Sequence, residues 1–400
     1  MGKYHQKCIS YLSKLCQEIP ERPLGSQGNR EATRFFSREI RKYGWERELQ
    51  EFSALDWVDG GAILKVEDTR FEVHVSPYSL GHQGEGILVA ASTLEQLHQL
   101  DMKGKIVMLH GDIAREQLMP KNFPFYNPEG HQRIIATLEQ GQPTAILCAT
   151  GRNSALAGGV YPFPLIEDGD FNIPSVYMTA EEGDRLLPYI GVKVFLESSS
   201  LRVPGKGYNV IARKGKDTGE RIVVTAHIDA KKGTPGAIDN ATGVAILLLL
   251  ADLLSDYDRD PLLEIVAFNG EDYYAASGQV LYLENNIKRY EQVLVNINID
   301  GAGYKESKTA YSFYNLPENV EKEAKTLISQ HPHIKVGSQW FQGDHSIFIQ
   351  NGIPAIAVSS DWFIENMDDQ DITHTPKDNL TVVNIERVVD IAMLLSAFLK

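Results

Sequence analysis

Three near-continuous apolar runs of strand length, each closing on an acid or a histidine, constrain this chain most. Ile222-Val223-Val224-Thr225-Ala226 leads into His227 and Asp229, Leu262 to Phe268 leads into Glu271 and Asp272, and Val293 to Ile299 ends at Asp300. A strand that is apolar at nearly every position, rather than at alternate ones, is covered on both faces, as in a parallel sheet flanked by helices. The segments between have helical character. Thr242 to Tyr257 is long and apolar, with Asn240 or Thr242 as its expected cap. Pro317 to Gln330 opens on a proline tolerated in a first turn, and Asn384 to Phe398 is the last helix. The order strand, helix, strand, helix predicts an α/β fold with a mostly parallel or mixed central sheet flanked by helices. Ligands of such sheets bind beyond the carboxyl ends of the strands, where the acids and histidines fall.

The first 45 residues read as helices broken by Pro20, Pro23, Gly25 and Gly28, with Ala32, Phe35, Phe36, Ile40 and Tyr43 on one helical face. The character changes in the middle of the chain, where short strands such as Lys105 to Leu109, Ala145 to Cys148 and Ser175 to Met178 alternate with glycines and prolines. The expected organisation is a domain built from residues 1–57 and 205–400, interrupted by a β-rich insertion over 58–204. Acidic residues outnumber basic ones by 53 to 39, for a formal charge of −14. That surface argues against nucleic acid as a partner, since phosphates demand a basic stripe. Cys8, Cys16 and Cys148 form an odd set without metal-type spacing, as expected of reduced thiols in a cytoplasmic protein. The N-terminus lacks the apolar core of a signal peptide, and no stretch reaches the ~20 apolar residues of a membrane span.

His227, Asp229, Asp239, Glu271, Asp272, Asp300 and His374 are the candidate residues of a metal site, because zinc takes imidazole nitrogen and carboxylate oxygen where no thiolate is offered. A pair of metals needs one shared carboxylate and a further carboxylate left free as a base. Asp229, two residues past His227, suits a partner that fixes the tautomer of that ring. The glycines and Pro235 ahead of Asp239 make a tight turn that aims it rather than a phosphate cradle.

His227-x-Asp229, Gly233 to Gly243 with Asp239-Asn240 inside it, Phe268-x-x-Glu271-Asp272, Asn298-x-Asp300 and His374-Thr375-Pro376-x-Asp378 resemble the zinc aminopeptidases of family M28. So do Gly343-Asp344-His345-x-x-Phe348, Gly352-Ile353-Pro354 and Arg22-Pro23-Leu24-Gly25-Ser26. Lys103 to Val107 and Ile173 to Val176 resemble a protease-associated domain. The resemblance implies a zinc-exopeptidase fold carrying that domain as its insertion, and two zinc ions, for which cobalt or manganese can substitute. It places His227 and Asp300 on one ion, Asp272 and His374 on the other, and Asp239 between them. Glu271 becomes the base, and the Asp239–Asn240 peptide is expected to be cis. Two departures stand out: the family usually has Glu-Glu at Glu271-Asp272, and many members carry a tyrosine where this chain has Thr373.

Other polar residues have plainer readings. His345 is expected to be a hydrogen-bonded core histidine, Asp344 a structural residue that orients His345 or caps a helix, and Asp378 a stabiliser of the turn after His374. The acidic and aromatic run from Asp361, with Trp362 and Phe363, is expected to form the side-chain pocket, with Trp340 and Phe341 contributing. The function expected is removal of N-terminal residues from peptides with an apolar first side chain. A single-zinc glutaminyl cyclase and an inactive receptor-like binding module are the alternatives, separated by metal stoichiometry and by the presence of every ligand. A carboxypeptidase would need a cation for the substrate carboxylate, and no Arg or Lys motif stands beside the ligands.

Overall fold

The computed structural model describes residues 2–152, 159–367 and 369–400. The chain divides into two compact units: Met1–Ala54 with Lys206–Met367 and Ile372–Lys400, and Leu55–Gly205 with Asp368–Asp371. Asp368, part of the acidic run singled out in the sequence, lies outside the described residues.

In the first unit the strands lie in the order Ile334–Val336, Thr309–Tyr314, Ala355–Ser360, Val293–Ile299, Arg221–His227, Leu262–Phe268 and the end of Lys193–Lys214. The 355–360, 293–299, 221–227 and 262–268 strands run parallel to one another. The 309–314 strand lies antiparallel to 355–360, and residues 210–214 lie antiparallel to 262–268. The sheet is therefore mixed, with a parallel centre.

Burial on both faces does not make the faces alike. Alternate side chains point to opposite sides of a strand. Val224, Ala226, Ile265, Ala267, Ile297 and Ile299 join the large apolar core. Thr225, His227, Glu264, Asn296 and Asn298, offset by one residue, share the other face and are also buried. They pair as buried polar groups must: Thr225 Oγ1 donates to Asn298 Oδ1 at 2.7 Å, and Tyr282 OH donates to Glu264 Oε1 at 2.8 Å. His227 thus arrives at the strand end on a polar face already held in register.

On the apolar face the helix Thr242–Leu253 is buried along almost its whole length, as a helix apolar all round must be. Its start is more elaborate than a single cap. A turn over Ala237–Ala241 precedes it, Asn240 Oδ1 accepts from Gly243 N at 3.1 Å, and Thr242 Oγ1 donates back to Ile238 O. Asn240 thus fills the capping role and Thr242 does not. Asn384 caps the helix Ile385–Phe398 by accepting from Glu386 N and Arg387 N. Gly28, expected to break the N-terminal helices, instead lies inside the helix Gln27–Arg41. A Cβ there would sit 2.0 Å from Glu21 O, so glycine serves close approach rather than termination.

In the second unit the strands His82–Ala91, Ile106–Leu109, Ala145–Thr150 and Ser175–Thr179 run parallel, with the 193–198 part of Lys193–Lys214 antiparallel to the first. This unit is more helical than its glycines and prolines suggest. The helix Glu129–Gly141 buries His131, Ile134, Ile135 and Leu138, spaced on one helical face that is easily overlooked beside the short strands. No described helix is long and apolar enough to cross a membrane. Cys8, Cys16 and Cys148 are buried and unpaired.

Candidate metal centre

Register brings the candidates together. Phe268 pairs with His227, and Asn298 pairs with Thr225, so His227 and Asp300 leave adjacent strands at the same level, about 4.8 Å apart. Glu271 and Asp272 follow just past Phe268. Asp239 comes from the turn between the 221–227 strand and its helix, and His374 from the loop ahead of the last helix, where its backbone takes a φ of 61°.

The ligand atoms cluster as two groups sharing one residue. His227, Asp239 and Asp300 have donor atoms within 4.8 Å of one another, and so have Asp239, Asp272 and His374. Asp239 faces both ways: Oδ1 lies 3.0 Å from His227 Nε2, and Oδ2 lies 3.1 Å from His374 Nε2. Asp300 Oδ1 is 3.5 Å from His227 Nε2, and Asp272 Oδ1 is 3.1 Å from His374 Nε2. The short side chain of Asp272 therefore reaches its histidine. Glu271 belongs to a third group with His227 and Asp272 and keeps partial exposure, as a group that meets substrate must.

The residues behind these do not all do what the sequence suggests. Asp229 is buried, and its carboxylate accepts from Gly270 N at 2.8 Å and Asp272 N at 3.1 Å. The His227 ring is held more closely by the Asp229 backbone, with Nδ1 at 3.2 Å from the carbonyl oxygen against 3.6 Å from Oδ1. Asp229 thus links His227 to the loop bearing Glu271 and Asp272, in addition to orienting the ring. Asp378 does not brace the turn after His374. Its oxygens accept from Ile238 N at 2.7 Å and Asp239 N at 3.0 Å, because the loop folds back over the turn that carries Asp239. The Asp239–Asn240 peptide is cis.

The electrostatics ask for a cation. Burial opposes charge on the His227 and His374 rings, yet the carboxylates around each outweigh it and push both pKa values well above the ordinary histidine range. Burial opposes ionisation of Asp239 too, but the two histidines hold it far below the usual carboxylate range. Burial lifts Glu271 well up, with Asp272, Asp300 and Asp344 adding to it against the pull of His227. A bound cation would act on every one of these groups in the sense that stabilises the anions and the neutral rings. The donor set fits such an ion. A carbonyl oxygen can only accept, so a neutral His227 ring carries its proton on Nδ1 and turns the Nε2 lone pair toward Asp239 and Asp300. Nε2 is fully buried and has no hydrogen-bond partner, although two carboxylate oxygens lie close. Lone pairs converging without a proton between them are what a divalent ion coordinated by nitrogen and oxygen requires.

His345 is a core histidine: fully buried, donating from Nε2 to Trp340 O at 2.9 Å and packed against the rings of Trp340 and Tyr314. Asp344 neither caps the following helix nor reaches His345 by a hydrogen bond. It accepts from Gln279 Nε2 at 2.7 Å, and burial raises its pKa to about 7. Of the expected pocket residues, Asp361 is paired with Lys335 at 2.8 Å and Phe363 packs into a cluster with Ile238, Tyr304 and Ile372. Trp362 stacks on Tyr304. Trp340 lies close to one ligand: a Cβ on Gly343 would be 3.1 Å from its ring and 3.3 Å from Asp300 Oδ2. Phe341 stands exposed beside Tyr314. Trp340 is itself buried in a cluster with Tyr314, Ala355 and Ala357, so burial alone does not choose among the expected pocket residues.

Comparison with known proteins gives a consistent picture. Residues 209–399 match the model of peptidase family M28. Aminopeptidase YwaD of Bacillus subtilis is 22% identical over 410 residues, covering 97% of this chain and 82% of that protein. A probable leucine aminopeptidase 2 of Aspergillus oryzae is 20% identical, covering 86% and 70%. The structure of BSAP, a zinc aminopeptidase from Bacillus subtilis, superposes with a TM-score of 0.75 at 19% identity, over 99% of this chain and 94% of that one. The aminopeptidase from Aneurinibacillus sp. strain AM-1 gives 0.74 at 20% identity, over 99% and 93%. At such identities these structures establish the shared fold.

Proposed function

Because the chain belongs to peptidase family M28 through residues 209–399 and is a zinc metallopeptidase, we propose that it is a two-zinc aminopeptidase. It hydrolyses the first peptide bond of peptides that carry a free amino terminus. One observation carries this reading: Asp239 stands between two ligand groups, one oxygen toward each histidine. His227, Asp239 and Asp300 would hold one ion, and Asp239, Asp272 and His374 the other. When bound, zinc supplies an acidified water and a Lewis acid for the scissile carbonyl. Glu271 accepts the proton of the attacking water on its carboxylate and returns it to the leaving amine. Asp229 keeps the Glu271–Asp272 loop in place through the backbone N–H groups it binds. Surplus carboxylates around the centre suit an α-ammonium group, and Trp340 offers an aromatic wall to an apolar first side chain.

A cyclase-like enzyme with one zinc would use only one of the two groups, and an inactive module would not need Glu271; the presence of all six residues supports the hydrolase. In the same reading residues 58–204 are a protease-associated-like insertion, and the protein works in the cytoplasm. The test is a panel of chromogenic Leu, Met, Phe and Lys amides, free and N-acetylated. Free Leu, Met and Phe amides should be cleaved and acetylated ones should not. Equal rates on both forms reject the exopeptidase, and a strong preference for Lys rejects the apolar pocket.

A further inference from the structure

Arg22, from the Arg-Pro-Leu-Gly-Ser stretch near the N-terminus, is completely buried against segments some 200 positions further along the chain as well as Leu15. Its four hydrogen bonds all go to backbone carbonyls. Nε donates to Ile228 O at 3.1 Å, Nη1 to Leu15 O and Pro235 O, each at 2.7 Å, and Nη2 to Gly236 O at 2.8 Å. Ile228 directly follows ligand His227, while Pro235 and Gly236 form the turn that delivers ligand Asp239. One rigid, planar group therefore spans the two backbones whose separation fixes the gap between those ligands.

The turn is shaped to receive it. Gly236 has a φ of 56°, and a Cβ there would lie 2.8 Å from Arg22 Nη2 and 2.5 Å from Asp239 O. On its other side Asp378 takes the N–H groups of Ile238 and Asp239. The cation holds the carbonyls of the turn and the anion holds its amides. A lysine has its donors at one point and cannot bridge oxygens from separate segments as a guanidinium fork does.

We propose that Arg22 is a positioning residue that sets the distance between His227 and Asp239 and so the strength with which the His227–Asp239–Asp300 group binds zinc. The inference rests on the two-zinc reading above and goes beyond it in being asymmetric. The Asp239–Asp272–His374 group shares only Asp239 with the clamp, so it suffers less when the clamp loosens.

The test is Arg22→Lys, prepared free of metal and titrated with zinc against a chromophoric chelator to give two stepwise constants, with the melting temperature of the metal-free protein as control. One step should weaken about tenfold or more while the other stays within about threefold of wild type, the range seen when residues behind metal ligands are altered. Both steps within about threefold of wild type would overturn the proposal, even if the metal-free protein melted earlier, because Arg22 would then serve stability alone. Equal weakening of both steps would also overturn it, since the asymmetry is its content. Should Arg22→Lys not fold, Gly236→Ala displaces the turn from the guanidinium and is read the same way. Wild-type protein that binds no zinc defeats the metal reading itself, a result distinct from an unchanged variant.

Discussion

Replacing His345 with phenylalanine separates a core histidine from a ligand by its response to acid. Burial lowers the pKa of the ring from 6.5 to about 4, only slightly offset by its bond to Trp340 O. Between those values the unfolded chain binds a proton that the folded one refuses, so stability rises with pH through the window and is complete above about 6.5. Working the linkage through, wild type should lose about 2–3 kcal/mol between pH 7.5 and pH 4.5 through this one ring. Phenylalanine keeps a ring against Trp340 and Tyr314 but cannot take a proton, and it forfeits the bond to Trp340 O, a cost of about 1 kcal/mol at any pH. The two stability curves should therefore cross: the variant is the weaker protein at pH 7.5 and the stronger by about 1–2 kcal/mol at pH 4.5. Urea unfolding of both proteins, stripped of metal and followed by fluorescence, gives the comparison, since every other titrating group is common to both. Parallel curves would refute the assignment of His345 to the neutral core. Lost zinc binding in the variant would make His345 a ligand.

Two further outcomes follow from the same structure. Glu271→Gln keeps shape and removes the proton acceptor, so kcat should fall by about 10²-fold or more with zinc content unchanged; a variant that keeps most of its activity moves the base elsewhere. Leu248→Ala empties a fully buried site in the central helix Thr242–Leu253, and should lower unfolding stability by about 3–5 kcal/mol in urea. A loss well under 1 kcal/mol would mean that the helix is not packed as described.

What the sequence makes legible here is what depends on local pattern. The 262–268 and 293–299 strands fall where their apolar runs do, and the 221–227 strand extends its run by one residue at each end. Strand length and full burial leave little freedom once Asp, Glu or His marks the end. The ligand grouping was readable only through the resemblance, because nothing in the spacing of residues 227, 239, 272, 300 and 374 says which histidine meets which acid. Roles carried by the backbone were not readable. Asp378 binds amide groups some 140 positions away in the chain, and Asp229 spends its carboxylate on the loop after the neighbouring strand; both depend on how loops pack. Arg22 is the sharpest case, since a charged residue beside prolines reads as surface until its carbonyl partners are seen. Composition marks the segment from Asp361 as acidic and aromatic but does not say that Asp361 pairs with Lys335 or that Phe363 packs inward.

The sharing of Asp239 between two metals is open to direct measurement by metal analysis. Protein purified without chelator should carry two zinc-class ions per chain, and Asp239→Asn should lose both, because the amide keeps a single neutral oxygen and cannot serve as the anion shared by the two groups. A single ion in the wild type, or full occupancy in Asp239→Asn, would contradict it.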